Sequence, residues 1–265
     1  MANLPYKKGF SVMKLGAQLY SVRTKCTTPE DLRLTLKTVK EIGYEVAQAS
    51  AICAIEPEKL KSYIDEFDIP ITCTHRSFAE IVERTDECIR FHKVIGCPVI
   101  GLGAMSMEQR ASYESVKEFV KELREPIKKI HDAGLRFAYH NHAFEFEPID
   151  GFKIYDYLLE EAPEFDFIHD VYWSSYAGED PAKYIKLLAE SGRMTDMHFK
   201  DMKSSPKGPI CPCGEGVIDF KPLAELAKSV GIKNVHVEQD NAPDLGDVFE
   251  QMKSSYDHLA PMFGE

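Results

Sequence analysis

Residues 113–142, YESVKEFVKELREPIKKIHDAGLRFAYHNH, hold one complete joint of the fold. Val116, Phe119, Val120, Leu123, Ile127 and Ile130 recur at helical spacing, so Tyr113–Ala133 reads as an amphipathic helix. Gly134 ends it, Arg136–His140 reads as a short strand, and a polar run begins at once in His140, Asn141 and His142. The same joint recurs at Gly43 in EIGYEV, Gly96 in VIGCPV and Gly231 in SVGIKN. Glycine suits that place because the residue closing a helix commonly takes a positive φ. Around these joints, strands are expected at Leu15–Tyr20, Tyr44–Ala49, Pro70–Thr74, Val99–Leu102, Arg136–His140, Phe165–Ile168, Met194–Phe199 and Asn234–Glu238. About eight helices alternate with them, Glu30–Ile42 among them. Eight units in 265 residues is about 33 residues each, the size of a βα module that closes into an α/β (β/α)8 TIM barrel. A doubly wound sheet would usually offer a glycine-rich phosphate loop, and neither G-x-G-x-x-G nor a P-loop is present. No linker or low-complexity segment divides the chain. Residues 1–265 therefore read as a single barrel domain, with 1–13 as an N-terminal extension.

With 44% apolar residues, that length buries a continuous core without metal or disulfide staples. The net charge of −11 repels phosphate backbones and argues against a nucleic-acid partner. A mean hydropathy of −0.29 and the absence of a long apolar run argue against a membrane span. The opening MANLPYKKGFSVMKLGAQ lacks the apolar stretch of a secretory signal. The seven cysteines are odd in number and scattered, which fits reduced thiols and a cytoplasmic setting. Cys211 and Cys213 form a C-x-C without a partner pair, a weaker signal for zinc than for a loop with two incidental thiols.

In a (β/α)8 barrel, chemistry collects at the C-terminal strand ends. Strand one runs into Gln18, strand three into His75 and Arg76, strand five into His140, Asn141, His142 and Glu145. Strand six gives Asp170 and Trp173, strand seven His198, Lys200 and Asp201, and strand eight Glu238 and Asp240. Taken singly, each has a plain structural reading: a histidine satisfied by a hydrogen bond, or Asp201 and Asp240 capping a helix. Four consecutive ends bearing imidazole or carboxylate are harder to explain that way, and such ligands suit Mn, Mg, Co, Zn or Fe(II). His92, His131 and His258 fall in helices, His169 points into the sheet–helix layer, and His236 reads as a buried layer residue.

YHNHAFEF at 139–146, D-V-Y-W at 170–173 with A-G-E-D-P after it, H-F-K-D at 198–201, G-E-G-V-I-D-F at 214–220 and V-E-Q-D at 237–240 stand in this order. Together they resemble the sugar phosphate isomerase/epimerase superfamily of xylose isomerase-like barrels. Its members include myo-inosose dehydratase, ketose 3-epimerases, hydroxypyruvate isomerase and endonuclease IV. The resemblance implies one divalent metal held by Glu, Asp, His and Glu from strands five to eight. The last three carry over onto Asp170, His198 and Glu238. The first has no direct match: Glu145 is the preferred substitute, with His140 or His142 as alternatives. The two-base epimerases use both glutamates, so this departure bears on strict 3-epimerisation. Trp173 stands where the family often has a substrate-binding histidine and offers an apolar platform to a sugar face.

The resemblance thus implies a metal-dependent isomerase, epimerase or related lyase acting on a sugar, keto-sugar or cyclitol through an enediolate. Glu238, Glu145 and His142 are the expected proton-moving groups, with His140 as an alternative. Lys200 is expected to reach a substrate oxygen or else to pair with a carboxylate such as Asp201. Gln18, His75, His140 and Trp173 are expected to line the substrate pocket. No anion nest beyond Arg23, Arg76 and Lys200 is evident, which favours an unphosphorylated substrate. A sugar-binding barrel without turnover is the alternative. An endonuclease IV-like phosphodiesterase is disfavoured, because strands two and four end without ligands. The resemblance also allows a homo-oligomer.

Overall fold

The helical stripe read at Tyr113–Ala133 forms the helix Tyr113–Asp132 in the computed structural model of the chain, which describes residues 13–149 and 151–264. Ser112 caps it through a reciprocal bond with Ser115. Val116, Phe119, Val120, Leu123, Ile127 and Ile130 are all buried on one face. Each such side chain stabilises the attachment of helix to barrel by roughly 1.5–3 kcal/mol. The extension expected over 1–13 lies outside the described residues up to residue 12.

Eight parallel strands close into one barrel: β1 (Lys14–Gln18), β2 (Val46–Ala49), β3 (Ile71–Arg76), β4 (Val99–Leu102), β5 (Arg136–His140), β6 (Asp166–Asp170), β7 (Met194–Phe199) and β8 (Asn234–Val237). Each pairs with its neighbours in sequence, and β1 closes the ring against β8 with Lys14 opposite Asn234 and Ala17 opposite Val237. The joint glycines Gly43, Gly96, Gly134 and Gly231 all take positive φ. Among the described residues no helix is long and apolar enough to cross a membrane.

Alternation along the strands separates two cores. Phe137, Tyr139, Phe167 and Phe199 face the helices and join the main apolar layer. Cys73, Val99, Ala138 and Ile168 form a small cluster inside the barrel. Two residues further along the same inward face come His75, His140 and Asp170. Gly16 leaves the interior space that His236 fills: a Cβ there would meet the imidazole Cδ2 at 2.5 Å and Val46 Cγ2 at 2.9 Å.

The strand boundaries depart from expectation in one systematic way. β3 continues to Arg76 and β6 to Asp170, each two residues beyond the apolar run. His75 and Asp170 belong to the barrel wall because they point into the lumen, whereas Arg76 faces outward onto Glu80 and the Phe91 ring. At β1 the reverse holds: the chain leaves the sheet after Gln18 and turns through a 3-10 segment at Leu19–Lys25.

Candidate metal centre

His140, Asp170, His198 and Glu238, at the ends of β5, β6, β7 and β8, are all buried and bring one ligand atom each to within 4.8 Å of one another. His198 Nδ1 lies 3.0 Å from Glu238 Oε2 and 3.8 Å from Asp170 Oδ2. His140 Nε2 lies 3.3 Å from Asp170 Oδ2. Local structure fixes each group. Asp170 ends β6 and caps the next helix, Oδ1 accepting from the Trp173 N–H at 3.1 Å, which leaves Oδ2 for the cluster. Asn141 brackets the Asp170 backbone, accepting from its N–H and donating to its carbonyl. The outward nitrogens of both histidines are also occupied: His140 Nδ1 faces the Gly103 carbonyl at 3.1 Å, and His198 Nε2 faces Gln48 Oε1 at 2.6 Å. With those outer nitrogens donating, the inward ones are the ligand atoms on offer, His198 Nδ1 once it gives up the proton it shares with Glu238.

Lys200 stands at the edge of this group, buried, with Nζ 2.9 Å from Glu238 Oε2, 3.2 Å from Asp170 Oδ2 and 3.2 Å from both Asp240 oxygens. Three carboxylates thus converge on one ammonium, with His198 beside two of them. Burial works to neutralise Asp170 and Glu238, but Lys200 and His198 outweigh it and hold both carboxyls well below the usual range. Burial also opposes charge on Lys200, and Asp170, Glu238 and Asp240 overcome it, raising the amine well above its ordinary value. Burial would lower His198, yet Glu238 and Asp170 lift it to about 9. Burial raises Asp240 against the pull of Lys200. Two imidazoles and two carboxylates at this spacing, with their outer atoms anchored, fit a divalent cation.

Glu145 is not brought to the cluster. Its Oε1 accepts from the Tyr139 hydroxyl at 2.6 Å and its Oε2 from the His142 N–H at 2.7 Å, and it is fully buried. Burial pushes its carboxyl up to about 7. In the structure it is His140, the alternative to Glu145, that joins Asp170, His198 and Glu238 from strand five. Glu145 sits three residues past His142 on a 3-10 turn that folds back onto the outer side of β5, whereas His140 is in the strand on its inward face. Lys200 pairs with Asp170, Glu238 and Asp240 and not with Asp201. Nor does Asp201 cap a helix: its carboxylate accepts from the N–H groups of Met202, Gly214, Gly216 and Ile218, which shapes the G-E-G-V-I turn.

A cavity of about 770 Å³ opens above the cluster. His75, His140, His142, Lys200, Glu238 and Asp240 line one side, and Phe78, Leu102 and Met105 another. His142 packs between Trp173 and Phe144, with ring centroids 5.2 and 5.6 Å away. Burial, then His140, presses His142 and His75 well below the ordinary imidazole range, so both are neutral. Gln18 and Trp173 lie beside this cavity and not on its lining. At this end of the barrel Gln18 Nε2, Gln48 Nε2, His75 Nε2, His142 Nδ1 and Trp173 Nε1 are buried with no hydrogen-bond partner among the described residues. Cys211 and Cys213 are free, and among the described residues they are not in any group able to share a metal.

Gln48, and Asp240 beyond the capping role expected of it, belong to the site as well. Period-two alternation in β2 was the available signal for Gln48, since it shares the inward face with Val46.

The imidazole–carboxylate cluster sits at the C-terminal rim, the end of a closed parallel barrel where βα loops build sites. The chain belongs to the xylose isomerase-like TIM barrel family, whose model matches residues 36–260. A sugar phosphate isomerase/epimerase from Parabacteroides distasonis shares the fold, with a TM-score of 0.78 and 22% identity over 95% of this chain and 100% of that one. The IOLI protein, solved with a zinc atom, gives 0.72 and 15% identity over 95% and 98%. A D-allulose 3-epimerase from Methylomonas sp. gives 0.72 and 13% identity over 94% and 98%. No curated protein matches the chain in sequence.

Proposed function

We propose that the chain is a divalent-metal-dependent isomerase, epimerase or related lyase that removes a proton next to the carbonyl of an unphosphorylated sugar, keto-sugar or cyclitol. The observation that carries this reading is the buried group of His140, Asp170, His198 and Glu238 beneath a cavity. A divalent cation held by those four residues supplies Lewis-acid polarisation of a carbonyl and hydroxyl pair. Glu238 and the neutral His142 are the groups placed to accept the proton. Lys200 donates to the oxygen that gains charge, and Asp240 keeps the ammonium directed to the cavity. The unpartnered Trp173 N–H and the unpartnered ring nitrogens of His75 and His142 suit a ligand rich in hydroxyls, which both donate and accept, since each costs about 1–3 kcal/mol if left unmet.

The absence of phosphate from the substrate is supported by charge. The cations on the cavity wall are Arg76 and Lys200; Arg76 faces Glu80, and the three carboxylates around Lys200 repel a phosphate dianion while leaving a neutral sugar unaffected. Seven free thiols suit a reducing cytoplasm. The test is to incubate the manganese-loaded protein with a panel of ketoses, keto-glycosides and inososes in D2O and to follow deuterium entering the carbon next to the carbonyl. Exchange is expected, with a loss of about 10²–10⁴-fold in His142→Ala. Tight binding of a sugar without exchange would favour a binding barrel and sink the enzyme reading.

A further inference from the structure

The two histidines of the cluster are held from outside by different kinds of group. His140 Nδ1 faces a main-chain carbonyl, Gly103 O, which no substitution removes. His198 Nε2 faces a side chain, Gln48 Oε1, 2.6 Å away and 150 residues distant in sequence. Gln48 is fully buried in β2, and His198 is fully buried across the barrel lumen in β7. Since His198 Nδ1 points at Glu238 and Asp170, Nε2 is the nitrogen that must carry hydrogen whenever Nδ1 serves as a ligand. An amide oxygen accepts that hydrogen without adding charge to a site already crowded with carboxylates. The second amide end, Gln48 Nε2, has no partner among the described residues, so the side chain's one bond is the one to His198.

We propose that Gln48 is a positioning residue for the metal centre: its Oε1 accepts the Nε2 hydrogen of His198, fixing the ring so that Nδ1 faces the cation. The proposal rests on the metal reading for its consequence, and on the hydrogen bond alone for its geometry. A partner of this kind orients the ring and raises its basicity, and losing one typically costs about 10–100-fold in metal affinity.

The experiment uses the full chain as wild type, Gln48→Met and Gln48→Glu. Methionine keeps the volume without the acceptor, and glutamate restores an acceptor. Manganese and zinc affinities are measured by competition with a chelator, and imidazole N–H protons are followed by NMR on histidine labelled with 15N. The expected result is about 10–100-fold weaker metal binding in Gln48→Met, recovered in Gln48→Glu, with a downfield His198 Nε2 proton present in wild type and Gln48→Glu and lost in Gln48→Met. A merely structural role would lower the melting temperature without moving that resonance. Unchanged affinity in Gln48→Met, or a His198 proton indifferent to the substitution, would overturn the proposal. If wild type takes up no metal, the metal reading fails, while the Nε2 proton still decides whether Gln48 holds His198.

Discussion

Replacing Lys200 by methionine separates the two cations that the rim can accommodate. The side chain is buried, and its ammonium touches Asp170, Glu238 and Asp240 at 2.9–3.2 Å. Methionine fills most of the same volume and leaves three carboxylates facing each other. Breaking a buried ion pair by removing one partner costs about 3–5 kcal/mol, because the remaining charge is uncompensated. The carboxyls of Asp170 and Glu238 are held low by that ammonium, so in the variant they regain protons more easily. The loss should therefore be larger at pH 8 than at pH 5. A divalent cation at about 100 times its dissociation constant returns about 2.7 kcal/mol. It should return more to the variant than to wild type at equal concentration, since the competing ammonium is gone. Urea unfolding of both proteins in EDTA and in manganese reads all of this. A variant within about 1 kcal/mol of wild type in EDTA, or one that manganese does not stabilise, would refute the charge balance described for the site.

Glu145→Gln should cross wild type in stability as pH changes. Burial raises Glu145 to about 7 from 4.5, so wild type loses stability between those values as the unfolded chain ionises first, by about 3 kcal/mol in all. The amide does not titrate but forfeits one bond of the Tyr139–Glu145–His142 set, worth about 1 kcal/mol. The variant should thus be less stable near pH 4.5 and more stable by about 2 kcal/mol at pH 8; denaturant titrations at both values that show equal destabilisation would contradict this. Asp201→Ala strips the acceptor of four backbone N–H groups and should cost about 3 kcal/mol, with protease sensitivity rising in 203–218, whereas Asp201→Asn should lose only part of that.

Much of the barrel was legible because its outer layer obeys simple periodicities. The stripe from Val116 to Ile130 and the glycine joints appear in the structure as read. The inner layer was harder, since there the strands keep their direction while their residues turn polar. Asp170, His75 and Arg76 read as the start of loops by composition, yet they are strand residues. Asp170, His198 and Glu238 were visible from strand-end position and the family resemblance. His140 and Glu145 were not separable by either, because the choice depends on where the chain turns after β5. Tyr139 decides it: its hydroxyl, on the helix-facing side, captures Glu145 and leaves the inward His140 to the cluster. Gln48 stayed hidden because an amide looks inert until His198 is placed opposite it.

Whether His140, Asp170, His198 and Glu238 together hold a divalent cation is tested most directly by plasma mass spectrometry of the protein after reconstitution with manganese or zinc. The samples are wild type, His140→Ala, Glu238→Gln and Glu145→Gln. About one equivalent of metal is expected in wild type and in Glu145→Gln, and loss of metal in His140→Ala and Glu238→Gln. Retention in His140→Ala with loss in Glu145→Gln would return the fourth position to Glu145, and no metal in wild type would contradict the site altogether.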